Sequence, residues 1–469
     1  KTPQNNDIVV TWSTFNDTGD SRVQYGEGVM DREAEGHATL FVDGGRQARS
    51  QFIHRVVLRD LKYQTKYVYH CGSEYGWSEE FTFRTPPEGE KWVVRAAIFG
   101  DMGDQNAHSL SYLQDESQRG HFDVILHVGD FAYDMDSQDA QVGDRFMRQI
   151  QPLAANVPYM TCPGNHEEKY NFSNYRNRFS MPGENGHLFY SFDLGPVHFV
   201  SISTEVYYFL QYGSKMLINQ FEWLRKDLTE ANKPENRSVI CVRRRLRPWL
   251  VLFGHRPMYC SNSDDIDCSF EYTRKGLPLL GWFSLEPLLK EFGVDLVIWA
   301  HEHSYERTWP LYDQQVYNGS LHHPYTNPRA PVHVITGSAG CKEGTDGFKT
   351  PAPAWSAFRS SDYGYTRFWA HNGTHLYMEI EMEDRDNIVF VASSAPVHVV
   401  TGSAGCKEGR DHFKSDPAIW SAFRSQDYGY TKFKAYNETH LYLEQISVDL
   451  DGQAIDSFWL IKNNQSLNL

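Results

Sequence analysis

The chain has no apolar run approaching the roughly 18 residues of a membrane-spanning helix, so no span is expected. None of its seven cysteines stands in a Cys-x-x-Cys pair, which leaves no signature of a structural zinc site. Positive charge is in deficit: 45 Lys and Arg stand against 60 Asp and Glu, a formal charge of −15, which argues against nucleic acid or an anionic membrane as a general partner. The opening residues, KTPQNNDIVV, contain no signal peptide. Seven Asn-x-Ser/Thr sequons nevertheless occur, at Asn16, Asn171, Asn236, Asn318, Asn372, Asn437 and Asn464. Together these predict a secreted or lysosomal protein whose chain starts after processing or is truncated. Cys260 and Cys268 flank a short polar loop and are candidates to pair.

What is present fills a large core. At 469 residues the length suggests two to four domains, and 14% aromatic residues with 22% charged ones describe a folded chain. Residues 1–88 run through six short apolar–polar alternations, IVVTW, SRVQYG, HATLFV, HRVVLRDL, KYVYHCG and EEFTFRT, the spacing of an antiparallel sandwich. Within it, LKYQTKYVYHCG resembles the tyrosine-bearing corner of fibronectin type III domains. The first run begins so early that an edge strand of the sandwich is expected to be truncated. PPEGEKW (Pro86 to Trp92) reads as a linker.

From Val93 apolar strands alternate with helical segments, and five strands end in side chains that bind metals. FGDMGD brings Asp101, HVGDFAY brings Asp130 and Tyr133, PGNHE brings Asn165, FGHRP brings His255, and AHEHSYER brings His301 and His303. Helices are expected over 107–118, 141–155, 219–232 and 285–293. This alternation predicts parallel strands whose carboxyl ends carry the ligands, where open α/β sheets bind. Any one of these residues has a bland explanation: Asp101 as a helix cap, Asp130 in a Gly-Asp turn, Tyr133 in the core. His301 and His303 share a face in extended chain. Seven hard or borderline donors are too many for one ion and suit a pair sharing a carboxylate.

Two stretches stand apart. CVRRRLR (Cys241 to Arg247) is a basic insertion expected to form a solvated loop. PVHVITGSAGCKEG from Pro331 recurs as PVHVVTGSAGCKEG from Pro396, and 35 of 52 aligned positions match at an offset of 65. One duplicated unit (331–382 and 396–447) is not a solenoid, which needs several shorter repeats. One copy is expected to complete the catalytic sheet and the other to be peripheral.

The ordered set GDMG, GDFAY, GNHE, GHRP and AHEHSYER resembles the metallophosphoesterase superfamily, and the tyrosine of GDFAY resembles the purple acid phosphatases, in the long animal iron/zinc form. The resemblance implies an α+β protein: an N-terminal fibronectin type III-like β-sandwich (1–88) followed by a four-layer α/β/β/α metallophosphoesterase domain (89–469). It implies iron(III) held by Asp101, Asp130, Tyr133 and His303, and a divalent ion (zinc, iron or manganese) held by Asp130, Asn165, His255 and His301, with Asp130 bridging. Tyrosine ligation would give a purple colour. It implies an acid phosphatase hydrolysing phosphate monoesters, small or protein-borne, by attack of a metal-activated hydroxide, with His166 contacting phosphate or helping the leaving alkoxide take a proton. The resemblance also implies a further histidine after GHRP, yet Met258 to Gly276 has none; His166 then suffices, a carboxyl such as Glu271 substitutes, or turnover is impaired. Glu306 and Arg307 are expected to brace their loop. The alternatives are a nucleotidase or diesterase of the same superfamily, disfavoured by Tyr133, and a catalytically impaired secreted binding protein. Nothing in the sequence specifies the oligomeric state.

Overall fold

The structure, a computed structural model, describes residues 6–233, 247–263, 270–278, 281–319, 324–325 and 328–461, the last stretch interrupted at 342, 344–345, 362, 383–384, 388, 393–398, 402, 407–412, 414–421 and 438. The basic insertion up to Leu246, the sequons at Asn236 and Asn464, and Cys268 lie outside the described residues. Cys260 is disulfide-bonded.

Each of the six alternating runs near the N-terminus forms a strand. Ile8–Thr14, Ser50–Leu58 and His37–Val42 make one antiparallel sheet. Arg22–Gly26, Lys66–Ser73 and Phe81–Arg84 belong to the other, extended by Arg32–Glu35 and Gly76–Trp77. Those last two strands were not legible in sequence: one is the charged edge strand Arg-Glu-Ala-Glu, which has no apolar face to betray it, as is usual where an edge must be kept from pairing. Along Lys66–Ser73, Tyr67, Tyr69 and Cys71 turn inward and alternate with less buried neighbours, as a half-buried strand requires. The Lys62 backbone N–H donates to the Tyr67 hydroxyl at 3.0 Å, which is the tyrosine corner the sequence resembles.

Downstream, two sheets share one core. In the first, Val94–Phe99, Val124–Val128 and Tyr159–Cys162 run parallel. In the second, Val197–Ser201, Trp249–Phe253, Leu296–Trp299 and Val332–Thr336 run parallel, with Tyr190–Leu194 antiparallel at the edge. Several of these strands are buried at every position, as expected when helices cover one face and a second sheet the other. Phe199 of the second sheet meets Phe433 of the first, with ring centroids 5.7 Å apart. The connecting helices Leu110–Gln118, Ser137–Ala154, Lys215–Ala231 and Leu285–Glu291 bring Leu113, Phe146, Leu224 and Leu288 into the same core. With the sandwich in front, this is the expected α+β architecture. The third helix starts four residues before its apolar pattern suggested: its buried stripe begins at Leu217 and is interrupted by Gln220, whose amide binds the Ser203 N–H and C=O at 2.8 and 2.9 Å.

The sandwich is fixed to the two-sheet unit through buried charge. Asp144, on helix Ser137–Ala154, accepts from Arg178 at 2.9 Å and pairs with Arg49 of the sandwich.

Both copies of the repeat register with the same edge of Val94–Phe99. Ile98 registers with Thr366 and with Thr431, Ala97 with Arg367 and with Lys432, Ala96 with Phe368 and with Phe433. Ser356–Ser360 and Phe423–Ser425 likewise both pair with Tyr305–Thr308. A strand edge offers one row of N–H and C=O groups and takes one partner at a time, so a single copy is enough to complete it.

Candidate metal centre

The seven predicted side chains converge. They do so because five strands end at one rim and the turns that follow are forced: Asp101, Asp130, Tyr133 and His301 all adopt left-handed backbone, with φ of 57°, 49°, 54° and 73°. Side-chain-bearing residues rarely hold that conformation, and where they do the strain is commonly stored at a functional site. Gly164 is required for the same packing, since a Cβ there would land on the Asp130 carboxylate.

Two groups of donors result. In one, the Tyr133 hydroxyl lies 2.5 Å from His303 Nε2 and 3.3 Å from Asp101 Oδ1, and His303 Nε2 is 3.7 Å from Asp101 Oδ1. In the other, His255 Nε2 lies 3.1 Å from Asp130 Oδ2 and 3.1 Å from Asn165 Oδ1. Potential ligand atoms of Asp130, His255 and His301 all fall within 4.8 Å of one another. The His255 Nδ1–H donates to the Val128 carbonyl at 2.8 Å, which turns Nε2 towards the centre, the arrangement that usually orients a metal-binding imidazole.

The electrostatics call for cations. Burial pushes the Asp101 carboxyl well above its ordinary pKa, with His255 opposing and Asp130 adding to the rise. His255 is raised to about 9: burial works against its charge, but Asp130 and Asp101 outweigh it. A field that favours a proton on His255 favours a metal cation there too. The donor chemistry agrees, since two carboxylates and a phenol suit a hard ion, and an amide with imidazoles suits a borderline one.

His166 stands at the edge of this cluster. Its Nδ1 pairs with Asp134 Oδ1 at 2.9 Å, its Nε2 is 3.9 Å from Asp130 Oδ2, and its ring lies 4.4 Å from that of Tyr133. Asp134 was not singled out in sequence; its place after Tyr133 in the same turn was the only signal. Glu167 was also missed. Its buried carboxylate accepts from the backbone N–H groups of Asp130, Phe131 and Gly164 at 2.9, 3.0 and 2.8 Å, clasping the GDFAY and GNHE turns together.

Two other expectations are answered by contacts. Glu306 accepts from the Ser261 N–H and hydroxyl at 3.0 and 2.8 Å, and Arg307 pairs with Asp456 at 3.0 Å, so both brace as expected. Glu271, considered as a stand-in for the absent loop histidine, is instead held by Arg274, Lys275 and Gln314. A second ligand-like trio, His303, Cys341 and Glu343, includes a cysteine that is disulfide-bonded and therefore offers no thiolate.

Comparison with known proteins agrees with this geometry. The calcineurin-like phosphoesterase family matches residues 94–305, and the purple acid phosphatase N-terminal domain matches residues 1–85. The iron/zinc purple acid phosphatase-like C-terminal family matches twice, at 330–389 and 395–457, one match per repeat copy. Acid phosphatase type 7 of Danio rerio is 53% identical over 81% of this chain and 86% of its own length, and that of Homo sapiens is 52% identical over 81% and 85%. Purple acid phosphatase 18 of Arabidopsis thaliana is 31% identical over 80% and 78%. The solved purple acid phosphatase PPD1 of yellow lupin seeds shares the fold, with a TM-score of 0.67 at 24% identity over 97% of this chain and 72% of that one.

Proposed function

Because the chain belongs to the purple acid phosphatase family of metallophosphoesterases, we propose that it is an acid phosphatase hydrolysing phosphate monoesters at a dinuclear metal centre. The observation that carries this is the convergence of seven side chains from five separate strand ends on one buried point. We assign iron(III) to Asp101, Asp130, Tyr133 and His303, and a divalent ion, zinc, iron or manganese, to Asp130, Asn165, His255 and His301. Asp130 bridges in this assignment, supported by its electrostatic coupling to Asp101 as well as to His255 and His301. When bound, such a pair lowers the pKa of water and neutralises the charge of the phosphoryl oxygens.

The chain's own groups divide the remaining work. Tyr133 and the two aspartates bring negative charge that selects hard cations and compensates them in a buried place. His166, oriented by Asp134, holds Nε2 where a proton can pass to the departing alkoxide. Glu167 keeps the two ligand-bearing turns in register. The natural substrate is a phosphate monoester, either a small molecule or a phosphoprotein. We also infer a secreted or lysosomal setting, supported by the exposed sequon asparagines Asn16 and Asn171 and by the disulfide at Cys260, which fits an oxidising compartment.

The test is hydrolysis of a chromogenic phosphate monoester at pH 5, with metal analysis and a visible spectrum. Chelator-sensitive hydrolysis with iron and a broad absorption band in the green is expected. A metal-free, colourless and inactive protein would return the non-catalytic binding protein as the better description.

A further inference from the structure

A permanent cation stands against the metal centre beside His301. Arg256, the residue after His255, places Nη1 2.9 Å from His301 Nε2. Its Nε donates to Glu205 Oε2 at 3.0 Å, its backbone N–H donates to Thr204 Oγ1 at 2.8 Å, and its guanidinium carbon lies 4.5 Å over the Tyr208 ring. Thr204 in turn donates to Glu205 Oε1 at 2.8 Å, and Glu205 is fully buried. The arginine is thus held from three directions, with its side chain only 12% exposed.

A guanidinium does not lose its proton in water at any pH the protein meets. Glu205 compensates the guanidinium on its Nε side, and on the His301 side an anion held by two metal cations would be drawn to it as well. The reaction supplies such an anion, the phosphoryl group, and the planar guanidinium fork matches its oxygens. The loop that follows, Met258 to Gly276, contains no histidine, and Arg256 brings a positive charge to the His301 flank.

We propose that Arg256 contacts the substrate, binding the phosphoryl oxygens of the monoester and of the phosphate product from the His301 flank, while His166 approaches by way of Asp130 and Tyr133. This rests on the acid phosphatase function above. Arg256 gives up no proton, so proton delivery to the leaving group stays with His166. Glu205 and Tyr208 are positioning residues that fix the fork.

Calorimetric titration of inorganic phosphate into the metal-loaded full-length chain tests this, with metal content measured on every sample and KM and kcat at pH 5 alongside. R256Q is expected to keep the metal complement and to bind phosphate about tenfold or more weaker, the loss typical of a charge-assisted hydrogen bond. R256K, which keeps the charge but not the fork, should fall between R256Q and the unaltered protein. Wild-type phosphate affinity in R256Q overturns the proposal. So does an affinity that falls only in step with lost metal, because Arg256 would then merely brace His301. If R256Q does not fold, R256K decides: unchanged affinity in it overturns the proposal. Failure of the unaltered protein to bind phosphate in a chelator-sensitive way would instead overturn the acid phosphatase assignment.

Discussion

At the scale of single residues the centre is a set of strained, buried, charged groups, each with a separable task. Tyr133→Phe removes the phenolate and is expected to abolish the visible absorption band while leaving the other ligands in place; a spectrum with iron analysis checks it. His166→Asn is expected to lower kcat about 10²- to 10⁴-fold, the usual worth of a general acid, without changing the bound metal. Loss of metal in that variant would show that His166 supports the centre instead. The predicted ligands were legible because each sits at the end of an apolar strand in a recognisable order. Asp134, Glu167 and Arg256 were not, because a carboxylate clasping backbone N–H groups or an arginine flanking a ligand has no sequence spacing that marks its partner. Glu205 lies about 50 residues from Arg256, and only folding brings them together.

At the scale of elements, buried charge fixes how pieces meet. His198, on strand Val197–Ser201, lies 2.6 Å from Asp193 and 3.0 Å from Asp227 of the neighbouring helix. Burial lowers its pKa, but the two carboxylates override this and raise it to about 9. The sign follows: with the folded value above the unfolded 6.5, this contribution is complete below about pH 6.5 and is lost as pH rises through about 9. Asp193 is shifted down, its pairing with His198 and Arg247 outweighing burial, so its share is lost when pH falls through that lowered value. Between these limits the cluster stabilises the fold in mild acid, and His198→Gln should flatten the fall in urea midpoint between pH 6.5 and 9. At the other contact, Asp144→Ala leaves Arg178 buried without its carboxylate, and about 3–5 kcal/mol of stability should be lost in chemical denaturation. Element types were well marked by their periodicity. Their ends were less so, as the helix beginning at Lys215 shows: Gln220, buried for its hydrogen bonds, breaks the apolar stripe between Leu217 and Leu224.

At the scale of the whole molecule the duplicated segment dominates. Two sequences of one kind each match the edge of Val94–Phe99 and the edge of Tyr305–Thr308, and an edge takes one partner at a time. Removing residues 331–395 joins Ala330 to Pro396 and leaves only the second copy; removing 383–447 joins Met382 to Val448 and leaves the first in its place. Each shortened chain is expected to fold, to bind the same metal complement and to hydrolyse monoesters. Thermal unfolding and activity at pH 5 check this, and loss of both properties in either deletion would show that the copies are not equivalent occupants.

The sequence alone pointed to the two architectures and to the seven side chains that converge, because strand alternation and the residue that ends each buried strand are local properties of the chain. The tertiary structure alone decided which nitrogen of His255 faces the centre, and which carboxylates brace the turns and which face the cluster of donors. Those outcomes depend on contacts between residues far apart in the chain, and no local pattern encodes a partner's position.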